Sequence, residues 1–466
     1  MIIIQLLIFL VQFFLFISNP VQNFDRFTIL ISALMTLVCF ILSIFQRNKT
    51  EIKNNNFSVI LFFFVMSYII SFQIPLEIAF GNTALLQYRF IFDVTIVNKM
   101  VCFSGLILDV FIIGVTFGYL KRSNSTQIRP DNKIIKKFNI KPLFYIIVLC
   151  FLIFALNLDS SYVSGGHGSV KFEGIGFSFY TIFSRLSIIY IAMVLFNNQI
   201  NNSNGRGIKD FFKLFNKSYL AFLAVTVVIF FLAHNRVFVI LTLTPFLFAF
   251  FVFTRKKVRS LLVIAIFLSL SIFATLFKLY GIDNILDNDL SIGSNYAIAK
   301  SYFPFTAELA NSIYSQTILF SKWYHEDFLI YGYSFFIGIL RIFPGLAGYL
   351  AVDPMQYDTA VIATRLSSTT YGVGTTTIAD VLVNFDFLGS ILVIFYLGYI
   401  FSKKEMQVYA SHTKITSYII YFSITSFVLF IPRASLNDLF ATIFFNLLFV
   451  SIYPYLFRMK TMNNKI

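Results

Sequence analysis

Five arginines stand inside or beside apolar runs: Arg185, Arg236, Arg341, Arg365 and Arg433. A guanidinium is planar and permanently charged, and it can grip a phosphate through two parallel hydrogen bonds. An arginine at the centre of a bilayer costs at least about 2.5–3.5 kcal/mol and less near the surface, so several of them in apolar surroundings point to a bound anion. Arg236 closes the short turn His234-Asn235-Arg236 between two apolar runs, Arg341 interrupts a third, and Arg365 precedes Gly372 and Gly374. Asp380 follows those glycines at the start of another apolar run. A carboxylate there can take the proton of an attacking hydroxyl, and His234 is the second candidate for that role.

Structural readings of the same residues stay open. Arg185 and Arg433 also fit as side chains that snorkel to headgroups, or, for Arg433, as a partner of Asp438. Asp380 also fits as a first-turn acid favoured by the helix dipole, and His234 as a polar residue that satisfies a turn. Asp109, in mid-run, reads either as a functional residue or as an interhelical hydrogen-bonding one.

The elements that must position these residues are transmembrane helices. Of 466 residues 58% are hydrophobic and 12% charged, with a mean hydropathy of +0.81, more apolar side chains than a soluble core absorbs. The apolar residues come in runs long enough to cross a hydrocarbon layer at about 1.5 Å per residue. The expected spans are Ile2–Ser18, Phe27–Phe45, Ser58–Phe80, Val101–Leu120, Pro142–Leu158, Thr181–Phe196, Tyr219–His234, Val237–Thr254, Ser260–Tyr280, Ile378–Phe401, Ile415–Ile431 and Leu436–Phe457. The fold class is therefore an all-α polytopic membrane protein of about 12 spans. Residues 1–281 hold the first nine, 282–377 form one large extracytoplasmic loop with amphipathic helices, and 378–466 hold the last three and a tail. The segment Phe335–Leu350 is short for a span and contains Arg341, Pro344 and two glycines, so it reads as an interfacial or re-entrant helix.

Charge sets the orientation, because Lys and Arg are retained on the cytoplasmic side. One alternating set of loops and the C-terminal tail hold 24 of the 36 bases and four acids, while the rest of the chain holds 12 bases and 17 acids. That places both termini in the cytoplasm, the long loop outside, and the first segment as an uncleaved span. The net charge of +15 lies between apolar runs, which argues against a nucleic-acid partner and for anionic lipid headgroups.

Other chemistries lack their residues. No phosphate-binding GxxxxGK[ST] loop is present, and Gly372-Val-Gly374 lacks the setting of a dinucleotide site. Cys39, Cys102 and Cys150 all fall inside spans, and His167, His234, His325 and His412 are scattered without metal-ligand spacing. The reading calls for no metal and no cofactor. A reaction here must draw on a substrate that arrives already activated.

The turn His234-Asn235-Arg236, the glycine-rich lead-in Tyr371-Gly-Val-Gly-Thr-Thr-Thr-Ile-Ala-Asp380-Val-Leu-Val-Asn384-Phe-Asp386-Phe-Leu-Gly389, and a dozen spans with a large loop before the last three resemble the oligosaccharide repeat-unit polymerases of the Wzy type. The resemblance covers the whole chain as architecture and these short stretches as motif. It implies a GT-C-like membrane transferase of the bacterial cytoplasmic membrane. Such an enzyme moves a growing glycan from undecaprenyl pyrophosphate onto the terminal sugar of another lipid-linked repeat unit, to make O-antigen or a related surface polysaccharide. By position the family's outer-loop arginines match Arg236, Arg341 and Arg365, and Arg185 joins them as a pyrophosphate-binding candidate. A spaced Arg-to-Gly motif of some members is not reproduced around Arg365. A flippase and a chain-length regulator are the implied protein partners. A lipid-linked oligosaccharide flippase and a polysaccharide ligase remain alternative functions.

Overall fold

A computed structural model describes residues 1–19, 24–50, 58–87, 94–123, 137–158, 174–200, 207–233, 235–254, 300–340, 354–367, 373–409 and 414–457, together with 269 and 350. These residues are overwhelmingly helical, with no strand among them. Among the described residues seven helices are long and apolar enough to cross a membrane, and four shorter apolar helices accompany them. The expected span Ser260–Tyr280 lies outside the described residues.

The chain divides into two compact units. The first comprises Met1–Asn124, Val258–Lys403 and Ile431–Asp438. Its opening helices, α1 (Ile2–Ser18) and α2 (Arg26–Arg47), invert the pattern of a soluble protein. Ile3 and Phe14 on α1 and Phe27 on α2 are 73%, 68% and 75% exposed, while Gln5, Gln12, Ser32 and Thr36 are fully buried. Water would penalise such a surface by roughly 25 cal/mol per Å² of apolar area, whereas lipid does not. Asp25 starts α2 by accepting from the N–H groups of Phe27 and Thr28, and the Thr28 hydroxyl bonded to it holds its carboxyl below the usual range.

α3 (Val59–Ala79) carries Pro75 inside it, and α4 (Val94–Ser123) packs against both α1 and α2. Four short helices follow in the expected loop: α5 (Pro304–Ala310), α6 (Ser312–Glu326), α7 (Tyr333–Leu340) and α8 (Thr359–Ser367). The buried carboxylate of Glu77 ties the start of this segment to α3. It accepts from the Tyr302 N–H at 2.8 Å, the Ser301 hydroxyl at 2.6 Å and the Gln73 and Asn82 amides at 3.0 Å each.

The long helix α9 (Thr377–Tyr409) crosses α4 at backbone contact. A Cβ at Gly114 would run into the Phe395 carbonyl, one at Gly398 into the Phe111 carbonyl, and one at Gly118 into the Ser402 hydroxyl. Small residues four apart on both helices allow this approach, as in other close-packed membrane helices.

The second unit comprises Ser125–Lys257, Lys404–Phe430 and Leu439–Ile466. It contains α10 (Lys141–Leu156), α11 (Gly174–Ile200), α12 (Lys217–Leu232), α13 (Arg236–Thr254) and α14 (Ile415–Phe427), with most of α15 (Asn437–Leu456). Aromatic packing dominates it, and polar side chains pin its ends. The Tyr418 hydroxyl donates to Gln199 Oε1, and the Tyr453 hydroxyl donates to the Asn139 carbonyl.

Candidate functional site

The first unit assembles its richest polar structure at the N-terminal end of α9. Gly374 leads in with φ +75, a left-handed backbone that a side chain would strain. Thr375, Thr376, Thr377 and Asp380 are all buried. Thr376 donates to Gln316 Oε1 on α6 at 2.9 Å, and Gln316 Nε2 donates to the Ser104 hydroxyl on α4 at 2.6 Å.

Asp380 is fully buried, and donors surround its carboxylate. Oδ1 accepts from the Thr359 hydroxyl on α8 at 2.7 Å and from Asn384 Nδ2 at 3.3 Å. Oδ2 accepts from the Leu436 N–H at 2.8 Å. The residue therefore joins three chain segments separated by 21 and 56 positions. Asn384 extends the join by accepting from the Ser334 hydroxyl on α7 at 2.7 Å.

Six residues on, the helix breaks. Asp386 has φ 60 and ψ −176, a region populated almost only by glycine, where other residues carry strain of order 1–3 kcal/mol. The break releases the Val383 carbonyl from its helical partner, and the Ile330 N–H takes it at 2.6 Å. Gly389 accommodates the bend, since a Cβ there would lie 2.7 Å from Phe385 Cβ. The Asp386 carboxylate is exposed, and its Oδ1 accepts from Trp323 Nε1 on α6 at 2.8 Å. Oδ2 meets no donor among the described residues.

Around that pair lies an aromatic group. The Trp323 ring is 5.5 Å from Phe320 and 6.3 Å from Phe103, and its neighbour Tyr324 lies under the Lys99 ammonium at 4.9 Å. Trp323 also packs on the core shared by Leu319, Ile362, Ala363 and Val383, so α6, α8 and α9 fix it jointly. Nearby on the same segment Tyr333 stacks on Tyr357 at 5.4 Å. A carboxylate beside an indole and tyrosines can accept hydrogen bonds from a ligand's edge while the rings pack on its apolar faces.

No family profile, curated protein or solved structure matches this chain.

The residues singled out in the sequence are distributed between the units. Asp380 and Arg365 belong to the first, and Arg365 is exposed on the last turn of α8. Arg185 belongs to the second, where its guanidinium lies 5.3 Å from the centre of the Phe445 ring. Arg236 is the first residue of α13, a backbone position consistent with the expected turn. His234 and Arg341 lie outside the described residues. Among the described residues no three His, Cys, Asp or Glu side chains converge as metal ligands. The sequence reading quoted Asp386 within the glycine-rich lead-in without giving it a role, and it did not single out Trp323 or Lys99. The available signal was Asp386-Phe-Leu-Gly389 in mid-run, a charge followed by the glycine its bend requires.

Proposed function

We propose that the chain is a membrane transferase that polymerises undecaprenyl-pyrophosphate-linked oligosaccharide repeat units into a surface polysaccharide. The observation that carries this reading is Asp386: an exposed carboxylate, held in strained backbone at a helix break and oriented by an indole. Strain of this kind persists only where surrounding structure over-determines it, and it concentrates at functional sites. By the charge distribution of the loops, this end of α9 faces outward, where lipid-linked glycans are elongated.

In the reaction, an acceptor sugar hydroxyl attacks the anomeric carbon of the growing chain. The new C–O bond forms as the bond to pyrophosphate breaks, and the hydroxyl proton passes to a carboxylate. Asp386 has an oxygen open to that proton, whereas both oxygens of Asp380 already accept from protein donors. Asp386 thus takes the role of base, and Asp380 positions the segment that carries it. The pyrophosphate leaves with its charge met by arginines, for which Arg236, Arg341, Arg365 and Arg185 are the candidates. Lys99 is a further cation close to the aromatic group.

Deletion in the native host tests the reading on a polysaccharide gel. Loss of a polymerase leaves lipid core capped with a single repeat unit. Polymer retained on carrier lipid with uncapped core would instead identify a ligase, and neither product a flippase.

A further inference from the structure

The loop that faces the break in α9 carries a tyrosine where the backbone disfavours one. Ile330, Tyr331, Gly332 and Tyr333 form a tight turn, closed by the Tyr333 N–H on the Ile330 carbonyl at 3.2 Å. Its central residues, Tyr331 and Gly332, have φ 54 and φ 77. Positive φ at both central positions is the type I′ pattern, in which the first belongs to asparagine, aspartate or glycine because a larger side chain crowds its own backbone.

Nothing inside the protein offsets this cost. The Tyr331 ring is 76% exposed, and among the described residues neither the ring nor its hydroxyl meets a partner. Exposure to lipid alone does not demand such a backbone, since Phe336, 58% exposed on α7, reaches outward from ordinary helix.

The turn is pinned to the break. The Ile330 N–H takes the Val383 carbonyl at 2.6 Å, and a Cβ at Gly332 would lie 3.4 Å from Phe385 Cε1. Asp327, Tyr331 and Asp386 are the non-glycine residues with positive φ among the described residues, and all three fall on these two facing segments. Tyr333 stacks on Tyr357, which packs on the same apolar core as Trp323. Strain gathered around an open carboxylate and an indole marks a surface held in shape for a ligand.

An exposed tyrosine offers a flat apolar face with a hydroxyl at its rim. A pyranose ring presents the complement, C–H groups on its faces and hydroxyls at its edge, whereas a lipid phosphate beside the Asp386 carboxylate would meet like charge. Building on the transferase reading, we propose that Tyr331 stacks against the second sugar of the acceptor glycan, next to the one whose hydroxyl faces Asp386.

The chain has one tryptophan, Trp323, so its emission reports on this site alone. The probe is the oligosaccharide repeat unit of the host's surface polysaccharide, freed from lipid by mild acid and titrated into the purified full-length protein. Emission should change saturably. Tyr331→Asn should raise the half-saturating concentration at least about fivefold, while Tyr331→Phe keeps it within about twofold. Asparagine suits the turn, so Tyr331→Asn should melt no lower than the parent. A parent that ignores the glycan, or Tyr331→Asn that binds it as the parent does, overturns the proposal. So does unchanged glycan binding by Tyr331→Asn with a Tm lowered in lipid nanodiscs but not in detergent, which assigns the ring to the membrane interface. A parent that binds the glycan through Tyr331 yet builds no polymer leaves the subsite standing and fails the transferase reading alone.

Discussion

Asp380 and Asp386 lie six positions apart on one helix, and opposite environments separate the roles proposed for them. Removing Asp380 orphans buried donors at Thr359 and Leu436, at roughly 1–3 kcal/mol for each. Asp380→Ala should therefore lower Tm and activity together. Asp386→Gly should separate the two: relief of backbone strain, set against glycine's entropy and the lost Trp323 bond, leaves stability unchanged or raised by up to about 2 kcal/mol. Polymerisation should nevertheless fall at least about a hundredfold, the usual contribution of a general base. Thermal melts read beside polymer yield check the pair, and an active Asp386→Gly would remove the base. Arg236→Lys should fail nearly as badly as Arg236→Ala, because lysine keeps the charge and loses the planar fork. Normal-length polymer from Arg236→Lys at ordinary expression would shift the anion site to Arg341 and Arg365. Asp386 was hard to see in the sequence because it stands in an apolar run that reads as uninterrupted helix. Asp380's partners lie far along the chain, so its saturation with donors left no local trace.

At the scale of elements, hydropathy was the strongest signal. Eleven of the expected apolar segments coincide with helices, since run length and composition fix them locally. Tertiary contact fixed what hydropathy could not. The break in α9 depends on Trp323 and Ile330 reaching it from a segment more than fifty residues earlier. The crossing of α4 and α9 is a second case, legible only once Gly114 and Gly398 are known to face each other's backbone. Gly114→Leu should force the helices apart, since overpacking of this kind costs about 1–3 kcal/mol or more. The expected result is a Tm lowered by several degrees with reduced activity, while the same change at Gly81, which has open space but a positive φ, should act only through local strain. Equal stability of Gly114→Leu and the parent protein in a detergent melt would show that the crossing tolerates separation.

For the whole molecule, the inverted pattern of α1 and α2 supports a multi-pass membrane protein, as hydropathy and charge imply. The charge rule further predicts that reporters fused after Lys133, Arg259 and Lys404 read cytoplasmic and that one after Asp289 reads extracytoplasmic. An external signal at Lys404 would mean that the segment 335–350 crosses the membrane. The proposed reaction itself is tested most directly by purified protein supplied only with an undecaprenyl-pyrophosphate-linked repeat unit. Glycan ladder and free undecaprenyl pyrophosphate should appear together, one carrier released for each unit added, and both should vanish in Asp386→Asn. Folded protein that yields neither ladder nor released carrier, or a ladder undiminished in Asp386→Asn, would contradict the account.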